Sequence, residues 1–226
     1  MTTVSRTHAR SIQVTVLRRD HWLVLAAAFL GWLFDGYEIG LFPVMARPAL
    51  TRLLSHGGDA AIGQWMGIIT ACFLVGAAAG GAIFGWLGDR IGRVRAMGLS
   101  ILVYSLVTGL GYFAAAPWEL GAVRLVSALG MGGQWSLGVA LVMEQWPEKW
   151  RPSLAAVMGA AANAGQLLVG LTARLHDVTA DSWRWMLLVA ALPALLVVFV
   201  VGFVPESRRW REAVGRTNAN PIREIF

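Results

Sequence analysis

The fold is decided by residues 85–95, GWLGDRIGRVR, which lead from one strongly apolar segment into the next. The flanking segments, at about residues 61–87 and 96–115, are long enough to cross ~30 Å of hydrocarbon as helices. A short loop with glycines and both signs of charge therefore joins two membrane spans. Such a loop can contact helix ends and change partners between conformations, which points to a transporter.

Composition supports a membrane protein. Of the 226 residues, 57% are hydrophobic and 14% are charged, against about 25% charged in an ordinary soluble domain. The net charge of +6 would suggest nucleic acid, but the arginines cluster at the ends of apolar segments instead of on one face. The single cysteine, Cys72, lies inside a span, so a disulfide framework is excluded. We expect no cofactor, no metal site and no nucleic-acid partner.

Six spans are predicted, at about residues 21–46, 61–87, 96–115, 118–143, 153–175 and 183–204. They define an all-α membrane protein with a six-transmembrane-helix bundle at 21–204. The N-terminal tail is residues 1–20, and the tail at 205–226 is the start of a linker. Gly76 and Gly80 are four residues apart, a spacing that favours close helix packing in lipid.

Lysine and arginine indicate the orientation. They concentrate before the first span, at 88–95 and 144–152, and after the last span. An excess of positive charge marks the cytoplasmic side. We therefore expect a multi-pass protein of the cell (inner) membrane with both termini in the cytoplasm.

Three charged side chains lie well inside predicted spans, away from the span ends, and charges at bilayer depth mark functional sites. Asp35 and Glu38 share a helix face, and Arg124 is expected at a similar depth. A carboxylate–guanidinium pair is predicted if the first and fourth helices are neighbours. Burial raises the proton affinity of a carboxylate, and a nearby arginine lowers it. A carboxylate that alternates between these two surroundings therefore binds and releases a proton. The alternative is a static salt bridge that only fixes helix packing.

Uncharged polar side chains also lie within the spans. Tyr37, Gln134, Asn163 and Gln166 are candidates for lining a substrate cavity. The alternative is that they pack or hydrogen-bond between helices.

Five residues of the loop, Gly85, Asp89, Arg90, Gly92 and Arg93, match a known signature, Gly-x3-Asp-Arg-x-Gly-Arg-Lys/Arg. The chain thereby resembles the major facilitator superfamily, in particular its sugar-porter and aromatic-acid/metabolite proton symporter branches. Val94 departs where a basic residue is usual. The resemblance implies that this loop is a latch between conformations; the alternative is a merely basic cytoplasmic loop.

Three further patterns carry the same resemblance. Residues 35–38, DGYE, are similar to the Asp-Gly-Phe/Tyr-Asp run of organic-acid symporters. The Glu144 to Arg151 stretch resembles a sugar-porter loop, although Pro152 replaces the usual glycine. Residues 205–210, PESRRW, resemble Pro-Glu-Ser-Pro-Arg-Trp with arginine in place of the second proline. The cytoplasmic loop residues implied are Glu144, Arg151, Glu206 and Arg209, and Arg124 falls where proton-coupled relatives place a functional arginine.

The resemblance implies the N-terminal half of the major facilitator fold, whose members hold substrate between two six-helix bundles. Because the chain ends at Phe226, we expect a truncated half that needs a second six-helix half; a homodimer is the alternative.

The expected function is secondary active transport of a small metabolite, an organic anion or a sugar, by proton symport. Alternatives are an exporter or facilitator on the same scaffold, and a membrane scaffold that does not transport. An enzyme is not expected, because the sequence lacks GxSxG, HExxH and a phosphate-binding glycine loop with lysine.

Overall fold

The computed structural model describes residues 18–55 and 58–217. This part of the chain forms helices α1 (Arg19–Leu54), α2 (Asp59–Ile91), α3 (Arg93–Leu110), α4 (Pro117–Gln145), α5 (Arg151–Thr172), α6 (Arg184–Ala190), α7 (Leu196–Phe203) and α8 (Arg208–Thr217). Six helical segments are long and apolar enough to cross a membrane, with α6 and α7 together making the sixth. The predicted all-α, six-span architecture is confirmed. The predicted tails, 1–20 and 205–226, lie partly outside the described residues.

Several helix limits differ from the predicted ones. The first helix continues past residue 46 and through Pro48 to Leu54. The last predicted span is not one α-helix, because α6 ends at Ala190 and a 3-10 turn at Leu192–Leu195 precedes α7. Pro193 lies in that turn and has no backbone N–H to donate, which interrupts the α-helical hydrogen bonds.

Helix α4 lies at the centre of the bundle. It packs against α1, α2 and α3, and α1 packs on a further side against α5. Helix α3 contacts α6 and α7 in turn. The first and fourth spans are therefore neighbours, which is the condition for the predicted ion pair.

The α1–α5 contact depends on glycine. A Cβ atom on Gly36 would overlap the carbonyl group of Ala162, and one on Gly165 would overlap the carbonyl oxygen of Leu33. The two backbones are thus in direct contact. In lipid, burying apolar side chains between helices gives no net free energy of association. Close packing of this kind therefore contributes much of the association between helices.

Glycines also allow direct backbone contact between α2 and α4. A Cβ atom on Gly80 would overlap the backbone of Leu129, and one on Gly132 would overlap the carbonyl of Ala77. This agrees with the close packing predicted from the glycine spacing in the second span.

Gly165→Leu is expected to destabilise the bundle, because the new side chain collides with the α1 backbone. Overpacking of this kind costs about 1–3 kcal/mol. The measurement is the thermal unfolding midpoint of the purified chain in detergent, followed by tryptophan fluorescence. Gly170→Leu is the matched control, since it lies on the same helix and a Cβ there meets nothing within 4 Å. Equal losses in the two variants would contradict this account of the α1–α5 contact.

Candidate functional site

The predicted ion pair forms between Glu38 of α1 and Arg124 of α4. Arg124 Nη1 donates to Glu38 Oε1, and Nη2 donates to the Glu38 backbone carbonyl at 3.2 Å. The two side chains are only 1% and 2% exposed. Thr108 Oγ1 of α3 donates to the same carboxylate oxygen at 2.7 Å. Three helices therefore meet at one carboxylate in the interior of the bundle.

The arginine side chain is also held by aromatic rings. Its guanidinium carbon lies 4.6 Å from the ring centroid of Phe73 and 5.6 Å from that of Phe42. Arg124 lines a cavity of about 200 Å³ between α1 and α2. The remaining walls of this α1–α2 cavity are Ile39, Pro43, Thr70 and Leu74, together with the two phenylalanines. Within the described residues, Arg124 Nε is buried and has no hydrogen-bond partner.

Asp35 is placed differently from Glu38. It is completely buried, and neither carboxylate oxygen has a hydrogen-bond partner in the described part of the chain. Arg124 pairs with Glu38 and not with Asp35. A buried carboxylate is tolerated only if it finds a compensating charge or gives up its own. Asp35 and Glu38, which the sequence did not distinguish as partners of Arg124, thus have different surroundings.

The four cavity candidates do not meet at one place. Tyr37 is 4% exposed and Gln134 is fully buried, with its amide against Gly31 of α1. Asn163 and Gln166 are exposed on α5. Tyr37 lines a separate cavity of about 150 Å³ with Leu168 and Thr172 of α5. Gln134 is packed between α1 and α4, and Asn163 and Gln166 face outward from the bundle.

The predicted latch loop forms a compact charged junction. Gly92 has φ of 105°, a left-handed conformation that favours glycine, and it separates α2 from α3. Arg93 pairs with Asp89 at 2.7 Å and with Glu144 of α4 at 3.2 Å. The loop is therefore tied to the end of α4.

Glu206 completes this junction from after the sixth span. Its carboxylate accepts the backbone N–H groups of Arg93 at 2.8 Å and of Val94 at 3.1 Å. These are free donors at the first turn of α3, and a negative charge there also complements the helix dipole. The carboxylate of the PESRRW motif thus caps α3.

Two residues of the junction were missed by the sequence reasoning. Ser207 Oγ donates to Glu144 Oε2. Trp210 Nε1 donates to the carbonyl oxygen of Asp89 at 2.7 Å. Both belong to the PESRRW motif, so the motif itself was the signal that would have found them.

The remaining loop candidates lie outside this junction. Arg90 is exposed, and its guanidinium carbon lies 4.2 Å from the Trp86 ring centroid. Arg151 binds its own loop, through Glu148 at 3.2 Å and the Met143 carbonyl at 3.1 Å. Arg209 is exposed, and Gly85 lies in α2 before the junction.

Comparisons with known proteins agree with this arrangement. The family model described as "Sugar (and other) transporter" matches residues 23–220. The chain is 31% identical over 209 residues to the inner membrane metabolite transport protein YgcS of Escherichia coli, covering 88% of this chain and 44% of YgcS. It is 32% identical to the cis,cis-muconate transport protein of Acinetobacter baylyi, covering 82% of this chain and 43% of that protein.

Solved structures share the fold. The crystal structure of a D-xylose-proton symporter superposes with a TM-score of 0.72 at 24% identity, covering 90% of this chain and 53% of that one. The chain spans less than half the length of the two sequence relatives. All these proteins are named as transporters, which confirms the expectation that the chain is not an enzyme.

Glu206→Ala is expected to destabilise the chain, because two backbone N–H groups of α3 lose their acceptor. Each buried N–H group left without an acceptor lowers the free energy of unfolding by about 1–3 kcal/mol. The midpoint of thermal unfolding measures the loss. The control is Glu148→Ala, whose side chain is 83% exposed in its pair with Arg151; such surface pairs contribute little. A Glu206→Ala midpoint no lower than that of the control would refute the capping role.

Glu38→Leu is expected to destabilise the chain by about 3–5 kcal/mol, because it leaves Arg124 buried without a counter-charge. The double variant Glu38→Leu/Arg124→Leu removes both charges and is expected to recover most of that loss. Denaturant unfolding of both single variants and the double variant gives the coupling energy. Simple additivity of the two single effects would show that the pair does not interact.

Proposed function

Because the chain belongs to the sugar (and other) transporter family of the major facilitator superfamily, we propose that its six helices form one half of a secondary transporter. Its cargo is a small metabolite, an organic anion or a sugar, moved together with a proton. The opposite wall of the transport path is a second six-helix half or a second copy of this chain. The family description and the name of the muconate relative support this range of cargo.

The observation that carries proton coupling is the buried contact of Glu38 with both Arg124 and Thr108. A proton added to Glu38 neutralises the carboxylate, so the attraction to Arg124 falls and the tie among α1, α3 and α4 weakens. Loss of the proton restores the pair. Proton binding is thereby linked to how tightly three helices are held together. Asp35 lies on the same helix, is buried and has no hydrogen-bond partner among the described residues, and it is the second proton-binding candidate.

The charged junction is proposed as the latch of the conformational change. Asp89, Arg93, Glu144 and Glu206 join the ends of α2, α3 and α4 to the segment before α8. Asp89 is 67% exposed, so water can replace its contact with Arg93 at modest cost. Breaking the junction would free the helix ends to move.

The orientation follows from charge. We place this junction and both termini on the cytoplasmic side of an inner membrane, because positive residues concentrate there. Asn163 and Gln166 are then the polar groups of α5 that face the transport path. Tyr37 and Gln134 reach it only if helices separate during transport.

Two other functions remain distinguishable from symport. An exporter or facilitator would move cargo without acid-driven accumulation. A membrane scaffold would move none. The buried ion pair supports symport, because a titratable group at that depth can couple a proton to helix movement.

The test is uptake into proteoliposomes with an imposed pH gradient, acid outside, using cis,cis-muconate and D-xylose as cargo. We measure the chain alone and the chain joined to the part of YgcS that it does not cover. Glu38→Gln is expected to lower acid-driven accumulation at least ten-fold, because the carboxylate no longer exchanges a proton. Asp181→Asn, at a largely exposed surface pair, is the control and should retain uptake. Accumulation that ignores the gradient, or that survives Glu38→Gln, would rule out the proposed coupling.

A further inference from the structure

Arg184, the first residue of α6, holds the far end of α3. Its Nε donates to the carbonyl oxygen of Tyr112 at 2.9 Å, and its Nη2 donates to that of Ala114 at 2.8 Å. Both carbonyls belong to the 3-10 turn Gly111–Phe113 and the residue after it, which directly continue α3. Carbonyl groups at a helix end lack partners within the helix, and a cation there also complements the helix dipole. Arg184 therefore caps α3 at the end opposite the charged junction.

The position of Arg184 is fixed by the packing of α6 on the end of α3. Its guanidinium carbon lies 4.6 Å from the ring centroid of Trp183, which is fully buried. A Cβ atom on Gly111 would lie 3.3 Å from a methyl group of Leu187. Among the described residues, no carboxylate forms an ion pair with Arg184. The guanidinium therefore serves the two carbonyl groups.

The sixth span thus holds α3 at both ends. Glu206, which follows α7, accepts the N–H groups at the start of α3. Arg184, which begins α6, donates to the carbonyls at its end. The two ends of a helix carry opposite partial charges, and each is met here by a side chain of complementary sign. A displacement of α3 along its axis would stretch one cap or the other.

The position of α3 matters because this helix carries a contact to Glu38. Thr108 lies in the last turn of α3, one helical turn before Tyr112, and is fully buried. Its hydroxyl donates to Glu38 Oε1 at 2.7 Å. A shift of about 1 Å away from Glu38 would take the two oxygens beyond hydrogen-bond distance. Thr108 therefore reaches Glu38 only while the end of α3 keeps its place.

We propose that Arg184 is a positioning residue for proton binding at Glu38: by holding the end of α3, it keeps the Thr108 hydroxyl at the Glu38 carboxylate. The contacts of Arg184 are with the turn after α3, so it acts on Glu38 through that helix. This inference rests on the proposed function and adds to it a residue outside the ion pair.

A substitution at Arg184 leaves the titratable groups around Glu38 in place. Among the described residues, the buried charged side chains are Asp35, Glu38 and Arg124, and the buried tyrosines are Tyr37 and Tyr104. They belong to α1, α3 and α4. A changed proton affinity of Glu38 then reports either a movement of α3 or the loss of one distant positive charge. The experiment separates these two causes.

The test is a pH titration of Glu38 in the purified chain in nanodiscs, followed by the infrared C=O stretch of the protonated carboxyl. The band is identified by its absence in Glu38→Gln. Thr108→Val removes the hydroxyl donor and is expected to shift the titration midpoint. Arg184→Gln is expected to shift it in the same direction and by at least half as much, because Thr108 is no longer held in place.

The double variant Arg184→Gln/Thr108→Val decides whether the two residues act as one. It is expected to shift the midpoint no further than Thr108→Val alone, since Arg184 acts only through Thr108. No shift in either single variant, or shifts that add in the double variant, would overturn the inference.

Two further variants separate position from charge. Arg52→Gln removes the same charge from an exposed pair with Asp181, a few residues before α6, and should leave the midpoint unchanged. A shift equal to that of Arg184→Gln would overturn the positioning role. Arg184→Lys keeps the charge but lacks the planar fork that reaches two carbonyls, so a smaller shift in the same direction is expected. If Arg184→Gln does not fold, Arg184→Lys takes its place in the double variant.

The outcome is separable from that of the proposed function, because the titration needs no transport. Shifts that do not add, in a chain without acid-driven uptake, would uphold the positioning role and reject the symporter. Acid-driven uptake that depends on Glu38, together with additive shifts, would do the reverse.

Discussion

The structure depends on keeping one ion pair, Glu38 with Arg124, buried among apolar helices. Charges in such surroundings are stable only when paired and hydrogen-bonded, so α1, α3 and α4 must approach closely enough for Arg124 and Thr108 to contact Glu38. Glycine lets these helices come that close, through Gly31 of α1 against the Gln134 side chain of α4 and Gly130 of α4 against the backbone of Ser100 and Tyr104 in α3. The ion pair and the glycine contacts therefore constrain each other.

The second charged group of the bundle lies at helix ends. The junction of Arg93, Asp89, Glu144 and Glu206 is open to solvent on its Asp89 side, whereas Arg93 and Glu144 are mostly buried. The Arg93–Asp89 contact therefore exchanges with water more cheaply than the interior ion pair does. The proposed latch and the proposed proton switch thus differ in how much free energy is needed to break them.

The comparisons and the geometry support each other at different levels. Family and fold follow from a model match over most of the chain and from shared architecture with a solved transporter. The range of cargo among relatives is wide, so the family alone does not select a substrate. Selection must come from local chemistry around the interior polar groups, such as Arg124 with Phe42 and Phe73 beside its guanidinium.

From the sequence alone, hydropathy and charge determined the six spans, their all-helical class and the loop motifs, because these are local properties. The pairing of Arg124 with an acid of the first span was also predictable, since unpaired charges at bilayer depth are costly. The sequence could not choose between Asp35 and Glu38, which lie on one face of one helix, because the choice depends on how α1 is rotated against α4. It also missed the contacts of Ser207 and Trp210 with residues far away along the chain. Those choices, and the cavity beside Arg124, were decided only by tertiary packing, since they depend on the distances between helices that the chain brings together from different spans.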